Sequence, residues 1–89
     1  MKALHIIVKG KVQGVGFRAK VEHFADKHGV RGTVRNLSDG TVEIYAQAEG
    51  NALALFAEAI KAEGVGKIDH FIAEEGNIQK TFEDFKIIF

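Results

Sequence analysis

Leu4, Ile6 and Val8 alternate with His5, Ile7 and Lys9. This period of two predicts a short strand, and Ile7 leaves both faces largely apolar, as in the middle of a covered sheet. Gly10 to Gly16 breaks the pattern with three glycines in seven residues. From Phe17 the period lengthens: Phe17, Val21, Phe24, Ala25 and His28 share one helical face. Gly29 is a natural stop, with His28 in the last turn complementing the helix dipole. Gly32–Arg35 predicts a second strand. Thr41–Ala48 predicts a third, with Val42, Ile44, Ala46 and Ala48 on one side and Thr41, Glu43, Tyr45 and Gln47 on the other. Ser38-Asp39-Gly40 between them signals a tight hairpin. Asn51 is placed to cap a second helix with the stripe Leu53, Phe56, Ala57 and Ile60, ended by Gly64. Lys67–Ala73 predicts a fourth strand. Phe82–Phe89 predicts a fifth, with Phe85, Ile87 and Phe89 on one face and Phe82, Phe85 and Phe89 expected in the core.

The order is strand, helix, strand, strand, helix, strand, then one more short strand. A split βαβ unit with a hairpin in its middle predicts an α+β fold, a ferredoxin-like α/β sandwich. Two helices are expected on one face of an antiparallel sheet (βαββαβ plus a short C-terminal strand), with the other face partly solvated.

Composition narrows the function classes. The chain has 89 residues, 46% hydrophobic and 27% charged, which suits one folded domain spanning residues 1–89. Lys plus Arg and Asp plus Glu are 12 each, so the formal net charge is zero. A broad basic face for nucleic acid is therefore not expected. Cysteine is absent, which excludes disulfides, thiolate metal sites and cysteine nucleophiles. No apolar run reaches the ~20 residues of a membrane span. The apolar stretch Ala3–Val8 is shorter than a signal-peptide core and is interrupted by His5. A soluble cytoplasmic monomer is expected, with neither a nucleic-acid nor a membrane partner.

The chemistry concentrates in Gly10-Lys11-Val12-Gln13-Gly14-Val15-Gly16-Phe17-Arg18, which runs from the end of a strand into the first turn of a helix. Free backbone amides there, the positive end of the helix dipole and glycines without Cβ atoms form a cradle for a tetrahedral anion. Arg18 can grip phosphate oxygens with its fork. A cation at a helix N-terminus opposes the dipole by up to ~1 kcal/mol, a cost that a bound anion offsets. The competing reading is a glycine turn with a surface arginine. Gly14-Val15-Gly16-Phe17-Arg18-Ala19 also fits the dinucleotide fingerprint, with Asp39 about twenty residues on. However, Asp39 falls in the hairpin, and the chain is too short for two mononucleotide halves. The Gly-Lys-Ser/Thr ending of a Walker A loop is missing.

A second candidate is Asn36, at the end of the second strand. Asparagine before a turn often bonds its own backbone, and Asp39-Gly40 reads as turn chemistry. If the sheet is ferredoxin-like, Asn36 lies near the glycine loop, where a neutral amide can orient a water beside a dianionic phosphate without repelling it. Metal binding is not expected: His23 and His28 are five apart, off the i, i+4 spacing of a zinc-binding helix face.

Gly10-Lys-Val-Gln-Gly-Val-Gly-Phe-Arg18 together with Gly32-Thr-Val-Arg-Asn36 and Asp39-Gly40-Thr-Val-Glu43 resembles the acylphosphatase family, and the order and spacing of these blocks match across nearly the whole chain. The resemblance implies a small stand-alone enzyme hydrolysing acyl phosphates to a carboxylate and inorganic phosphate, without metal or cofactor. It implies that Arg18 binds phosphate, that Asn36 orients the attacking water, and that the amides of Gln13, Gly14, Val15, Gly16 and Phe17 form the cradle. Gly64-Val65-Gly66 stands where the family commonly has a proline. The reading from another class is a non-catalytic phosphate- or metabolite-binding module on the same fold.

Overall fold

The computed structural model describes residues 1–76 and 80–89. The alternation around Leu4–Val8 continues both ways into a ten-residue strand, β1 (Lys2–Lys11). The helical stripe gives α1 (Phe17–His28), which buries Phe17, Val21, Phe24 and Ala25 and ends at left-handed Gly29. His28, expected on that face, is only half-buried because it lies in the last turn. β2 (Arg31–Asn36) and β3 (Val42–Ala48) form the hairpin, followed by α2 (Gly50–Glu63), β4 (Lys67–Glu75) and β5 (Phe85–Ile87). Asn51 does not cap α2. The first helical acceptor is the carbonyl of Glu49, which Leu53 N reaches at 3.0 Å, and Asn51 lies inside the first turn. In the stripe of α2, Leu53, Phe56 and Ile60 are buried and Ala57 is half-buried.

The sheet order is β4-β1-β3-β2-β5. β1 pairs antiparallel with β3 and β4, and β2 pairs antiparallel with β3. β5 runs parallel to β2, so the sheet is mixed rather than wholly antiparallel. The cause is the long connection from β4, at the opposite edge. Gly76 N donates to Ala3 O at 3.3 Å, and the Gln47 side chain bonds Lys80 O at 2.6 Å and Phe82 N at 3.1 Å. Asp84 O then accepts from Gly32 N at 2.8 Å. The chain therefore reaches β2 at the end where β2 begins and follows its direction.

One side of the sheet carries the core. Ile6, Val8, Val34, Val42, Ile44 and Ala46 face the helices and meet Phe17, Phe24 and Phe56, all buried. Phe56 packs edge-on to Phe85 with centroids 6.0 Å apart. Burying a side chain of this size stabilises the fold by about 1.5–3 kcal/mol. Phe85 is thus core, but Phe82 is half-buried and Phe89 is fully exposed. The predicted eight-residue strand shortens to the three residues Phe85–Ile87 that stand in register with β2, flanked by single bonds to that strand at Asp84 O and Ile88 N. The chain beyond them passes the end of α1.

Among the described residues no helix covers the other side of the sheet, and Ile7 there is half-buried. Glu43 is nonetheless buried there. Its carboxylate lies 2.9 Å from His5 Nε2 and 2.7 Å from Arg35 Nε. Burial pushes its pKa up, but the bonds from His5 and Arg35 and their charges outweigh this and hold it below the ordinary value. A carboxylate lowered by folding stabilises above its unfolded pKa of about 4.5, and that contribution is lost as pH falls through the folded value. Glu43→Gln is therefore expected to lower Tm at pH 7, with the gap to the native chain closing below about pH 4.5. Melting curves across pH check this, and a gap independent of pH would contradict it. Among the described residues, no helix is long and apolar enough to cross a membrane.

Candidate active site

Between the end of β1 and Phe17, the backbone changes sense twice. Gly14 has φ 76° and Gly16 has φ 82°, whereas no non-glycine residue among those described has a positive φ. Alternating signs of φ turn successive N–H groups toward a common side, the geometry of an anion-binding nest. Gly16 also occupies the N-cap of α1, where it has no side chain to satisfy the helix amides, and the first turn contains no acid. A Cβ on either glycine would meet nothing within 4 Å. Glycine is thus required there by the backbone angle, and the space over the loop is open.

The loop is held from three sides. Val12 and Phe17 are buried in the core. The Gln13 carboxamide donates to Leu37 O at 2.8 Å and Thr41 O at 2.9 Å, which ties the loop to the β2–β3 hairpin. From the α2–β4 turn, Gly66 packs so closely that a Cβ there would lie 2.2 Å from Lys11 O and 2.9 Å from Val15 Cγ2. This close approach of Gly66 to Lys11 and Val15 holds the loop at the Gly64-Val65-Gly66 turn.

Asn36 is the last residue of β2, paired with Val42. Its Oδ1 is buried and has no hydrogen-bond partner, alone in this among the buried side-chain polar atoms of the described residues. The turn-bonding role is filled by Asp39 instead. The Asp39 carboxylate accepts from Thr41 Oγ1 at 2.6 Å and Thr41 N at 3.0 Å, and these bonds lower its pKa. The hairpin closes without the Asn36 side chain, whose acceptor stays available.

Arg18 is the second residue of α1 and forms no ion pair among the described residues. Its guanidinium carbon lies 5.3 Å from the centroid of the Phe89 ring. Arg18, Gly14, Gly16 and Phe17 line a cleft of about 270 Å³ whose far wall is Ile87 and Phe89. Asn36 does not line this cleft. It immediately precedes Leu37, whose carbonyl oxygen accepts from the Gln13 carboxamide of the loop.

Of the residues singled out in the sequence, the cleft gathers Gly14, Gly16, Phe17 and Arg18; Gln13 and Val15 belong to the same loop, and Asn36 lies outside the lining, on the hairpin that Gln13 bonds. Two contributors escaped the sequence reading. Gln13 counted there only for its amide, whereas its side chain is the strut to the hairpin. Phe89 was assigned to the core. Ile87-Ile88-Phe89 carries no local sign that its pairing stops early. No group of three or more His, Asp or Glu among the described residues could hold a metal ion.

The acylphosphatase family model matches residues 4–87. The acylphosphatase of Geobacillus thermodenitrificans is 40% identical over 90 residues, covering 100% of this chain and 96% of that protein. The crystal structure of acylphosphatase from Bacillus subtilis superposes with a TM-score of 0.94 at 40% identity, covering all of both chains. A similar domain occurs inside a larger protein, full-length HypF in its phosphate- and nucleotide-bound form. There the TM-score is 0.92 and the identity 34%, and the match covers 99% of this chain but 12% of that one. Sequence and backbone agree from end to end, and this chain belongs to the acylphosphatase family.

Proposed function

We propose that Arg18, Asn36 and the amides of Gln13, Gly14, Val15, Gly16 and Phe17 carry out this family's reaction, the hydrolysis of acyl phosphates, in a single domain of residues 1–89. The loop is read as a phosphate-binding loop. Its amides and the Arg18 fork take the phosphoryl oxygens and stabilise the charge that builds on them in the transition state. Asn36 Oδ1 accepts a hydrogen bond from a water and aims the water's oxygen at phosphorus. As that oxygen bonds, the bond from phosphorus to the bridging oxygen breaks and the acyl group leaves as a carboxylate. The proton of the water passes to a phosphoryl oxygen. No side-chain base is needed on this side of the sheet, because the anhydride leaving group is a stable anion and the task is positioning. Glu43, the buried carboxylate, faces away on the opposite side with both oxygens occupied by His5 and Arg35.

One observation carries this reading: a carbonyl oxygen on Asn36, buried and without a partner among the described residues, on the hairpin that Gln13 ties to an arginine-flanked nest. No protein donor among the described residues reaches that oxygen, which leaves it for a water. The protein is read as a monomer in the cytoplasm. Hydrolysis of acetyl or benzoyl phosphate by the purified chain, with a chelator present, is the direct test. Turnover is expected. Phosphate binding without turnover would instead make the domain a phosphate-binding module.

A further inference from the structure

We propose that the Gln13 side chain is a positioning residue for the attacking water: its carboxamide keeps the hairpin that carries Asn36 at a fixed spacing from the loop that carries the nest. This rests on the reading above, in which the loop takes the phosphoryl group and Asn36 takes the water. In-line attack then requires two separate segments of chain to hold one spacing, and an error of about 1 Å can cost about 10²-fold in rate.

Strand pairing alone does not secure that spacing. β1 pairs with β3 only as far as Val8 and Val42, whereas its ladder with β4 runs on to Lys11 and Lys67. The loop that follows therefore has no ladder to the hairpin, and Gln13 supplies the link. Its Nε2 donates to Leu37 O at 2.8 Å and to Thr41 O at 2.9 Å, which uses both hydrogens of the amide nitrogen. Among the described residues these are the only hydrogen bonds between residues 12–16 and 36–41. Their place is specific. Leu37 directly follows Asn36, and Thr41 directly precedes Val42, the residue paired with Asn36. Both carbonyls also have donors within the turn: Gly40 N reaches Leu37 O at 3.2 Å, and Leu37 N reaches Thr41 O at 2.8 Å. The turn is closed without Gln13, so what its side chain fixes is where the turn sits relative to the loop.

The test is a double-mutant cycle on kcat with Gln13→Met and Asn36→Ala, run beside inhibition by inorganic phosphate. Gln13→Met keeps the length of the side chain and removes both donors, and Gln13→Leu removes them with a different shape. Each is expected to lower kcat about 10-fold, while inhibition by phosphate changes less than about 2-fold. Because the two carbonyls keep their turn donors, Tm is expected to stay within a few degrees. In the Asn36→Ala background the water has already lost its partner, and there Gln13→Met is expected to cost less than about 2-fold. Unchanged kcat in both single variants at Gln13 overturns the proposal. So does weaker phosphate inhibition at constant kcat, which would make the side chain a brace for the nest alone. Asn36→Ala by itself separates the two levels. Full kcat in that variant brings down the reading of Asn36 and this proposal with it, whereas losses at Asn36 and Gln13 that multiply in the double variant bring down this proposal only.

Discussion

Arg18→Ala is expected to lower kcat/KM for acyl phosphates by at least about 10²–10³-fold, the usual loss when a group stabilising transition-state charge is removed. Arg18→Lys is expected to fail similarly, because an ammonium point charge cannot bind two oxygens of one phosphoryl group in parallel. Neither change should unfold the protein. Among the described residues Arg18 makes no ion pair, and its cation opposes the dipole at the start of α1, so its loss relieves a few tenths of a kcal/mol. Giving up the contact with Phe89 costs about 0.5–1 kcal/mol. The two nearly cancel, and Tm is expected to stay within a few degrees. Steady-state kinetics with thermal melting on both variants checks this. Full activity in Arg18→Lys would mean that charge alone suffices.

The second large effect is expected at Asn36, and there activity and stability should move independently. Asn36→Ala is expected to reduce kcat by about 10²-fold while inhibition by inorganic phosphate persists, because the water, not the phosphoryl group, loses its partner. Stability should hold, because among the described residues no protein donor bonds the native Oδ1 and its removal breaks no bond within the fold. Asn36→Asp should be at least as inactive, because a carboxylate beside a dianion repels it. A drop in Tm accompanying a modest loss of rate would identify Asn36 as a structural hairpin residue instead.

Local pattern carried much of the fold. Phe17, Val21, Phe24 and Ala25 recur at the helical period and are all buried, and Val42, Ile44, Ala46 and Ala48 recur at the strand period and are too. The glycine loop was legible because Gly14 and Gly16 mark a backbone that other residues adopt only under strain. What escaped depends on partners distant in the chain. The direction of β5 follows from where its connection crosses the sheet, past Gln47, and no residue of Phe85–Ile87 encodes that. The Gln13 strut spans 24 and 28 residues to Leu37 and Thr41. Phe89 has the same alternation as Phe85, but the sheet partner it would need is already past the last paired position. The strand period set Glu43 only on the side opposite Val42, Ile44, Ala46 and Ala48. It is buried because His5, 38 residues away, and Arg35 converge on it.

The central claim is that one tetrahedral anion sits between the Arg18 guanidinium and the loop amides, with a water bridging it to Asn36. A crystal structure with inorganic phosphate bound tests this most directly. The phosphate is expected in the nest, accepting bonds from the amides of Gln13 to Phe17 and both arms of the Arg18 fork, with a water between it and Asn36 Oδ1. Phosphate bound elsewhere, or seated in the loop with the Asn36 carboxamide facing away from it, would contradict the assignment.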